Sequence, residues 1–244
     1  MSIWGKIIGG TAGFALGGPI GAIIGAMAGH SFDKRRQGSK SNFYDSSNIN
    51  NQNAFALGII ILSAKLAKAD GVVTKDEINA FKEKFRIPQN EMKLVGKIFN
   101  EAKKSAYGFE SCAKQIKVMF SNNRIVLEEL LNNLFYIAEA DGKISKSELD
   151  FLKTVSLIFE FDQKTFERIL ESRQKIENMD PYKVLGVNRE DSDDDIRKAW
   201  INLTKSHHPD QLVAKGLPPE FIDQANKEMS SINAAYDKIQ KMRT

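Results

Sequence analysis

A tetrad near the C-terminus, His207-His208-Pro209-Asp210, restricts the possible fold more than any other stretch of this chain. It lies between two runs of helical hydrophobic period, at residues 193–206 and 218–241. Proline fixes φ and cannot continue a helix, so the first run has to end at the tetrad. The sequence therefore predicts two antiparallel helices joined by an exposed and rigid loop.

A short helix is predicted ahead of this pair. Residues 178–187 begin with a cap and a proline and reach a helix stop at Gly186. Ser192 and Asp195 then approximate a capping box for the helix that follows. Residues 178–244 are therefore predicted to form a self-contained helical domain built on a helical hairpin.

The central part of the chain is also predicted to be helical. From residue 54 to residue 176 the apolar residues follow a helical period, and no strand-like alternation of useful length occurs. The predicted fold class is therefore all-α, with a helical bundle at residues 54–176. The predicted helices of this bundle lie near residues 54–69, 75–86, 89–105, 109–121, 124–140, 145–159 and 163–176.

Two stretches of the bundle repeat each other, residues 67–78 and 138–149. Each contains an Asp-Gly turn followed by Thr or Ser and, three residues later, by Glu, which is the pattern of a capping box. A divalent metal site is the alternative if the repeats pack about a twofold axis, since carboxylate oxygens bind hard cations. The candidate ligands would be Asp70, Glu77, Asp141 and Glu148.

The N-terminal segment contains 26 consecutive residues, 7–32, without Asp, Glu, Lys or Arg. As a helix they would extend about 39 Å, enough to cross a bilayer. Glycine recurs at every fourth position, which lets the backbone of a second membrane helix approach closely. We therefore predict a transmembrane helix at residues 1–32 that forms a homodimer. The glycines assigned to this contact are Gly9, Gly13, Gly17, Gly21, Gly25 and Gly29.

Two other interpretations of this segment stay open. It could be a flexible, membrane-associated tail, or a secretory signal, because residues 26–28 resemble a cleavage site. For a spanning helix, the positive-inside rule places the N-terminus in the periplasm and the later domains in the cytoplasm, since four basic residues follow the span and only Lys6 precedes it. Residues 33–53 are rich in Ser, Asn and Gln and predict a flexible tether.

Composition argues against several classes of function. The net charge of +4 includes no strongly basic block, so no nucleic-acid partner is predicted. Cys112 is the only cysteine, which excludes an intrachain disulfide, and it is interpreted as a core residue. We find no nucleophile–base pair, phosphate loop or zinc-ligand spacing, and therefore predict neither an enzyme nor a cofactor.

Residues 180–243 resemble a J-domain through four motifs, DPYKVLGV, IRKAW, HPD and INAAY. The two central repeats fit D-G-x-[IV]-[ST]-x-x-E and resemble the TerB-like helical domain of tellurite-resistance proteins. Together with the glycine array, the chain resembles the membrane-anchored DnaJ-like co-chaperones of the inner membrane of Gram-negative bacteria.

This resemblance implies a partner and a binding site. The partner is an ATP-bound DnaK-class chaperone, whose ATP hydrolysis and substrate capture would be stimulated. Ile201 and Gln211 depart from the family, which often has basic residues there, and His207 is assigned no role. The residues implied in partner binding are His208, Pro209, Asp210, Arg197, Lys198 and Lys205.

A function of another class stays open beside this one. The chain could be a TerB-like stress-sensing or scaffold protein, with or without a bound metal. Its J-domain would then serve for docking alone and would not stimulate hydrolysis.

Overall fold

The computed structural model describes residues 3, 17–29, 47–69, 81–82, 85–105, 108–140 and 142–243. Every regular element in these ranges is a helix, which confirms the predicted all-α class. In chain order the helices are α1 (Gly18–Gly29), α2 (Ser47–Leu66), α3 (Gln89–Lys104), α4 (Phe109–Met119), α5 (Arg124–Ala138), α6 (Lys146–Ile158), α7 (Gln163–Glu171), α8 (Pro181–Leu185), α9 (Asp193–Ser206), α10 (Pro209–Ala214) and α11 (Ile222–Arg243), with a 3-10 turn at Pro219–Phe221 before α11.

Helix α2 forms the centre of the bundle. From Ala54 to Leu66 it is buried on every side, because α3, α4 and α5 pack around it. A helix that is apolar on all faces is stable only when other elements enclose it. The run of apolar residues in α2 therefore determines where its neighbours have to lie.

The helices predicted for the centre of the bundle begin and end close to the observed ones. α3, α4, α5 and α6 start and stop within two residues of the predicted positions. The helix predicted at 163–176 was too long, since α7 ends at Glu171. There the Ser172 hydroxyl donates to the Ile169 carbonyl, and the chain turns toward α8. Most of the helix predicted at 75–86 lies outside the described residues.

The prediction of a flexible tether was wrong at its C-terminal end. Residues 47–53 belong to α2, and Asn53 is buried. Asn51 lies against the turn at Gly216, which has a positive φ of 104° and where an added Cβ would meet Asn51 Cβ at 2.6 Å. These contacts with distant residues outweigh the weak local preference of Ser and Asn for irregular structure. Residues 33–46 lie outside the described part of the chain.

The C-terminal helices form the predicted hairpin. α8 and α9 both pack on α11, and the rings of Trp200 and Tyr236 stack with their centroids 4.4 Å apart. The Asp180 carboxylate caps α8 by accepting from the Tyr182 amide at 3.1 Å. Gly186 ends α8 at a left-handed φ of 68°, as its position in the sequence predicted.

The hairpin also shares a hydrophobic core with the bundle. Leu212, Leu217 and Phe221 are buried in the same apolar cluster as α2 and the helices around it. The ring of Phe221 lies 4.8 Å, centroid to centroid, from both Phe55 and Phe85. The segment that follows the tetrad is therefore part of the central core.

Helix α1 lies on the outside of the bundle, against α3 and α4, and buries Ile20, Ile23 and Ile24. The Gln115 side chain holds its first turn, since Oε1 accepts from the Ile20 amide at 2.9 Å and Nε2 donates to the Gly17 carbonyl at 2.8 Å. Within the described residues, no helix combines the length and the apolar character that a bilayer crossing requires. Of the six glycines assigned to a dimer contact, Gly9 and Gly13 lie outside those residues.

We predict that Phe221→Ala lowers the free energy of unfolding of the full chain by about 3–5 kcal/mol, since it leaves a cavity where an aromatic side chain filled the shared core. Denaturant titration followed by circular dichroism measures this change. Leu157→Ala is the control, because Leu157 is 72% exposed and should change stability by less than about 0.5 kcal/mol. Equal and small effects of both variants would contradict a shared core.

Candidate functional site

The tetrad forms a tight joint between two helices and not the loop that the sequence suggested. His207 ends α9, His208 is the N-cap of α10, and Pro209 is the first residue of α10. The sequence predicted Pro209 only as the end of a helix. Proline is also favoured at the first position of a helix, where its missing N–H is not needed. Short helix α10 follows from that second property.

The side chains of His208 and Asp210 project into solvent from this joint. Their exposed fractions are 51% and 91%, and Nδ1 of His208 lies 3.8 Å from Oδ2 of Asp210. Nδ1 accepts a hydrogen bond from the Asp210 amide at 3.2 Å. A neutral ring that accepts at Nδ1 carries its proton on Nε2. The joint therefore offers one N–H donor and one carboxylate acceptor, held on either side of Pro209.

Three basic side chains accompany this joint on α9. Arg197, Lys198 and Lys205 are all exposed, and only Lys198 has an ion-pair distance to an acidic neighbour, 3.4 Å to Asp195, among the contacts described for these three. Ile201 is exposed on the same helix and carries no charge. The structure thus places every residue predicted for partner binding on α9 or on the joint that follows it.

His207, which was assigned no role, is the buried member of the tetrad. Its exposed fraction is 1%. Nδ1 lies 2.9 Å from the Leu203 carbonyl oxygen, and Nε2 lies 2.8 Å from Oε1 of Glu128 on α5. Adjacent residues of the tetrad therefore point in opposite directions, with His208 toward solvent and His207 into the bundle.

Glu128 belongs to a buried ionic cluster that connects four helices. Arg168 on α7 donates from Nη2 to Glu128 and from Nη1 to Oε1 of Glu228 on α11, the latter at 3.0 Å. Asn132 on α5 also donates to Glu228. Two carboxylates thus share one guanidinium, and Nε2 of His207 lies 2.8 Å from Oε1 of Glu128 and 3.6 Å from Oε1 of Glu228. This arrangement supplies each buried charge with an oppositely charged or polar partner, as burial requires.

The same cluster contains a set of potential metal ligands. One ligand atom each from Glu128, His207 and Glu228 lies within 4.8 Å of the other two. Arg168, however, already donates to both carboxylates. The guanidinium therefore holds the oxygens that a metal cation would bind, and the geometry fits an ion-pair network.

Glu148 is the described member of the four metal candidates taken from the repeat. Its carboxylate accepts from the Ser145 amide at 2.8 Å, and its amide donates to the Ser145 hydroxyl at 3.2 Å. This is the reciprocal capping box that the sequence pattern predicted at the start of α6. Asp70, Glu77 and Asp141 lie outside the described residues.

Cys112 lies in the core of the bundle, as predicted. Its side chain is fully buried, and burial raises the pKa of the thiol. Burial also lowers the pKa of Lys65, whose Nζ donates to the Ser105 carbonyl at 3.1 Å. A thiol whose charged form is disfavoured is a poor nucleophile, which fits a structural cysteine.

The sequence did contain a signal for the ionic cluster. Glu128 and Glu129 interrupt the apolar residues of α5, and Glu228 stands between Ala225 and Ile232 in the apolar stripe of α11. An acidic residue inside an apolar stripe predicts a buried partner of opposite charge. Periodicity does not identify that partner, and Arg168 is 40 residues from Glu128 in the chain.

Three family models match the chain in order. Residues 1–41 match the transmembrane domain of co-chaperone DjlA, residues 56–171 match tellurite resistance protein TerB, and residues 180–243 match the DnaJ domain.

Several curated proteins are similar to the chain along its whole length. The co-chaperone protein DjlA of Coxiella burnetii is 30% identical over 270 residues, covering 100% of this chain and 99% of the relative. DjlA of Photobacterium profundum is 27% identical with 98% of both chains covered, and DjlA of Shewanella oneidensis is 28% identical with 100% and 99% covered. No solved structure gave a significant match.

We predict that Ser145→Ala lowers the free energy of unfolding by about 1 kcal/mol, because it removes the hydroxyl that caps α6. Thermal and denaturant unfolding of the full chain measure the change, and Ser145→Thr, which keeps a capping oxygen, is the matched control. A rise in Tm with millimolar calcium that disappears in Glu148→Gln would contradict a purely capping role for Glu148 and support the metal alternative.

Proposed function

Because the chain belongs to the DjlA family of co-chaperones, we propose that it stimulates ATP hydrolysis and substrate capture by a DnaK-class chaperone through His208, Pro209 and Asp210. The observation that carries this proposal is the joint itself. It presents an exposed donor and an exposed acceptor on a backbone fixed by proline. The chain acts in this proposal as a regulator of another protein's ATPase.

The proposed mechanism is preferential binding to one state of the partner. A protein can shift a two-state partner only by binding one state more tightly than the other. The Nε2–H of His208 and the carboxylate of Asp210 would form hydrogen bonds in the hydrolysis-competent arrangement of the ATP-bound chaperone. Pro209 restricts the backbone between them, which limits the entropy lost on binding.

The basic residues of α9 are proposed to steer this encounter. Arg197, Lys198 and Lys205 are exposed on the helix that ends at the joint and would face an acidic groove of the partner. Complementary charge raises the rate of association more than it raises affinity. The uncharged Ile201 and Gln211 leave this basic face weaker than the family pattern, so the association rate should be lower than for a J-domain with basic residues there.

We propose that residues 1–32 anchor the chain in the inner membrane as a single spanning helix in the lipid bilayer, an arrangement in which α1 would leave its packing against α3 and α4. The match of residues 1–41 to a DjlA transmembrane domain supports this assignment. Four basic residues at 34–40 against Lys6 favour a periplasmic N-terminus and cytoplasmic C-terminal domains. The joint would then work on the side of the membrane where ATP is available.

We further propose that the spanning helices pair into a homodimer. Glycines at every fourth position leave the helix surface without side chains that would hold two backbones apart. Successive glycines advance by about 40° around the helix, so each pair of helices uses a few of them. Gly17 and Gly25 have open space around the position of an added Cβ, which fits a role in contact with another chain.

We predict that His208→Gln and Asp210→Asn each reduce the stimulation of single-turnover ATP hydrolysis by a DnaK-class chaperone at least about tenfold, since loss of one partner in a buried interfacial hydrogen bond costs about 2 kcal/mol or more. Asp237→Asn, an exposed acid on α11 away from the joint, is the matched control and should stimulate like the wild type. Equal stimulation by the wild type, the two variants of the joint and the control would exclude the proposed mechanism and favour a docking or scaffold role.

We predict that Gly13→Leu combined with Gly17→Leu reduces self-association several-fold in a membrane dimerisation assay. The leucines would separate the two backbones. Ala15→Leu combined with Ala22→Leu adds the same bulk to the opposite face of the helix and should leave association unchanged. A similar loss in both double variants would argue against a specific glycine contact.

A further inference from the structure

The joint that carries His208, Pro209 and Asp210 is fastened to the central bundle on both sides. The residue before it, His207, is bound to Glu128 of α5. The first buried residue after it, Leu212, belongs to the hydrophobic core built around α2. The exposed joint is therefore fixed on each side by a residue that contacts the central bundle.

The anchor before the joint is ionic. Glu128 receives Nε2 of His207 at 2.8 Å and the guanidinium of Arg168. Arg168 in turn donates to Glu228, which brings α11 into the same cluster. Removing one partner from such a buried group leaves an uncompensated charge and is strongly unfavourable. The position of His207 is therefore tightly specified by the bundle.

The anchor after the joint is apolar. Leu212 and Leu217 are fully buried, and Phe221 packs against Phe55 and Phe85. The backbone turn at Gly216, between Leu212 and Leu217, lies directly against Asn51 of α2. Neither end of the segment 207–221 can move far without opening the central core.

The anchored arrangement leaves the proposed binding face open. His208, Asp210 and Gln211 are exposed, and so are the basic residues of α9. The bundle thus contacts the buried side of the joint and leaves exposed the side chains that a partner would bind. This geometry fits a support for the joint and argues against an inhibitory contact.

We propose that His207 and Glu128 are positioning residues for the joint, so that the central bundle sets the apparent affinity of the J-domain for its chaperone partner. This inference rests on the proposed function of the joint. His207 and Glu128 touch no partner group themselves. They raise the fraction of molecules in which His208 and Asp210 stand in the binding-competent arrangement, and apparent affinity is proportional to that fraction.

The test uses the full chain with His207→Phe, Glu128→Gln and the double variant. The first removes both ring nitrogens while keeping an aromatic side chain, and the second removes the charge while keeping the shape of Glu128. Glu139→Gln is the matched control, since Glu139 is also bound to an arginine, with its Oε1 at 2.7 Å from Nε of Arg173, but has no described contact with the joint.

The main readout is the concentration of the chain that gives half-maximal stimulation of a DnaK-class ATPase, measured separately from the maximal rate. We expect it to rise about tenfold in His207→Phe and in Glu128→Gln, with the maximal rate nearly unchanged, as for a tenfold smaller competent fraction. The effect of the double variant should be smaller than the sum of the two single effects, because both changes remove the contact between His207 and Glu128, although Glu128→Gln also weakens the pairing with Arg168. Glu139→Gln should match the wild type.

A second readout does not depend on any partner. The Leu212 amide donates to the His208 carbonyl at 3.0 Å inside α10, whereas the Val184 amide donates to the Asp180 carbonyl at 3.1 Å in α8. Hydrogen exchange at Leu212 should become about tenfold faster in His207→Phe and Glu128→Gln, because exchange reports the local opening of such bonds. Exchange at Val184 should stay constant.

The outcomes separate the two proposals. Wild-type half-maximal concentrations and wild-type exchange at Leu212 in both variants would overturn the positioning role and leave the proposed function intact. Additive effects in the double variant would also overturn it. If the wild type gives no stimulation, the proposed function fails, and so does the proposal that the bundle sets the affinity for the chaperone. The exchange measurement still decides whether Glu128 and His207 hold the joint in place.

Discussion

Enclosure of one helix is the constraint on which the rest of this structure depends. Helix α2 is buried around its whole circumference from Ala54 to Leu66, and all of these residues except Ser63 and Lys65 are apolar, so water has to be excluded from every side of it. Helices α3, α4 and α5 cover most of that surface, and the segment around Phe221 completes the cover from the C-terminal hairpin. The hairpin is therefore held to the bundle by the same hydrophobic effect that holds the bundle together.

Buried charges meet at the boundary between the bundle and the hairpin, where each has a partner. Arg168 lies between Glu128 and Glu228, and His207 adds a fourth polar group at the boundary between bundle and hairpin. Apolar packing brings two surfaces together without much directional preference, whereas paired charges at fixed distances select one arrangement. This difference fits the proposed positioning role of His207 and Glu128. The apolar core attaches the hairpin to the bundle, and the ionic cluster orients the joint.

Local features of the fold were predictable because they depend on neighbouring residues. The cap at Asp180, the stop at Gly186 and the capping box of Ser145 and Glu148 each involve side chains a few positions apart. The exposed site was predictable for the same reason, since the basic residues of α9 and the segment 208–210 follow one another along the chain. The burial of His207 was not, because it depends on Glu128, 79 residues away. Likewise, the extension of α2 to Ser47 depends on contacts near Gly216 that no local pattern reveals.

The shared core has a consequence for how such a protein can change over time. A domain that can be recognised by its own motifs is usually treated as a module that recombines freely with others. Here Leu212, Leu217 and Phe221 lie within the hairpin sequence but in the core of its neighbour. Exchanging the hairpin for one from another protein would leave a hole beside α2 and place unmatched surfaces against each other. The two parts are therefore expected to be inherited together, with paired substitutions across their boundary in place of independent replacement.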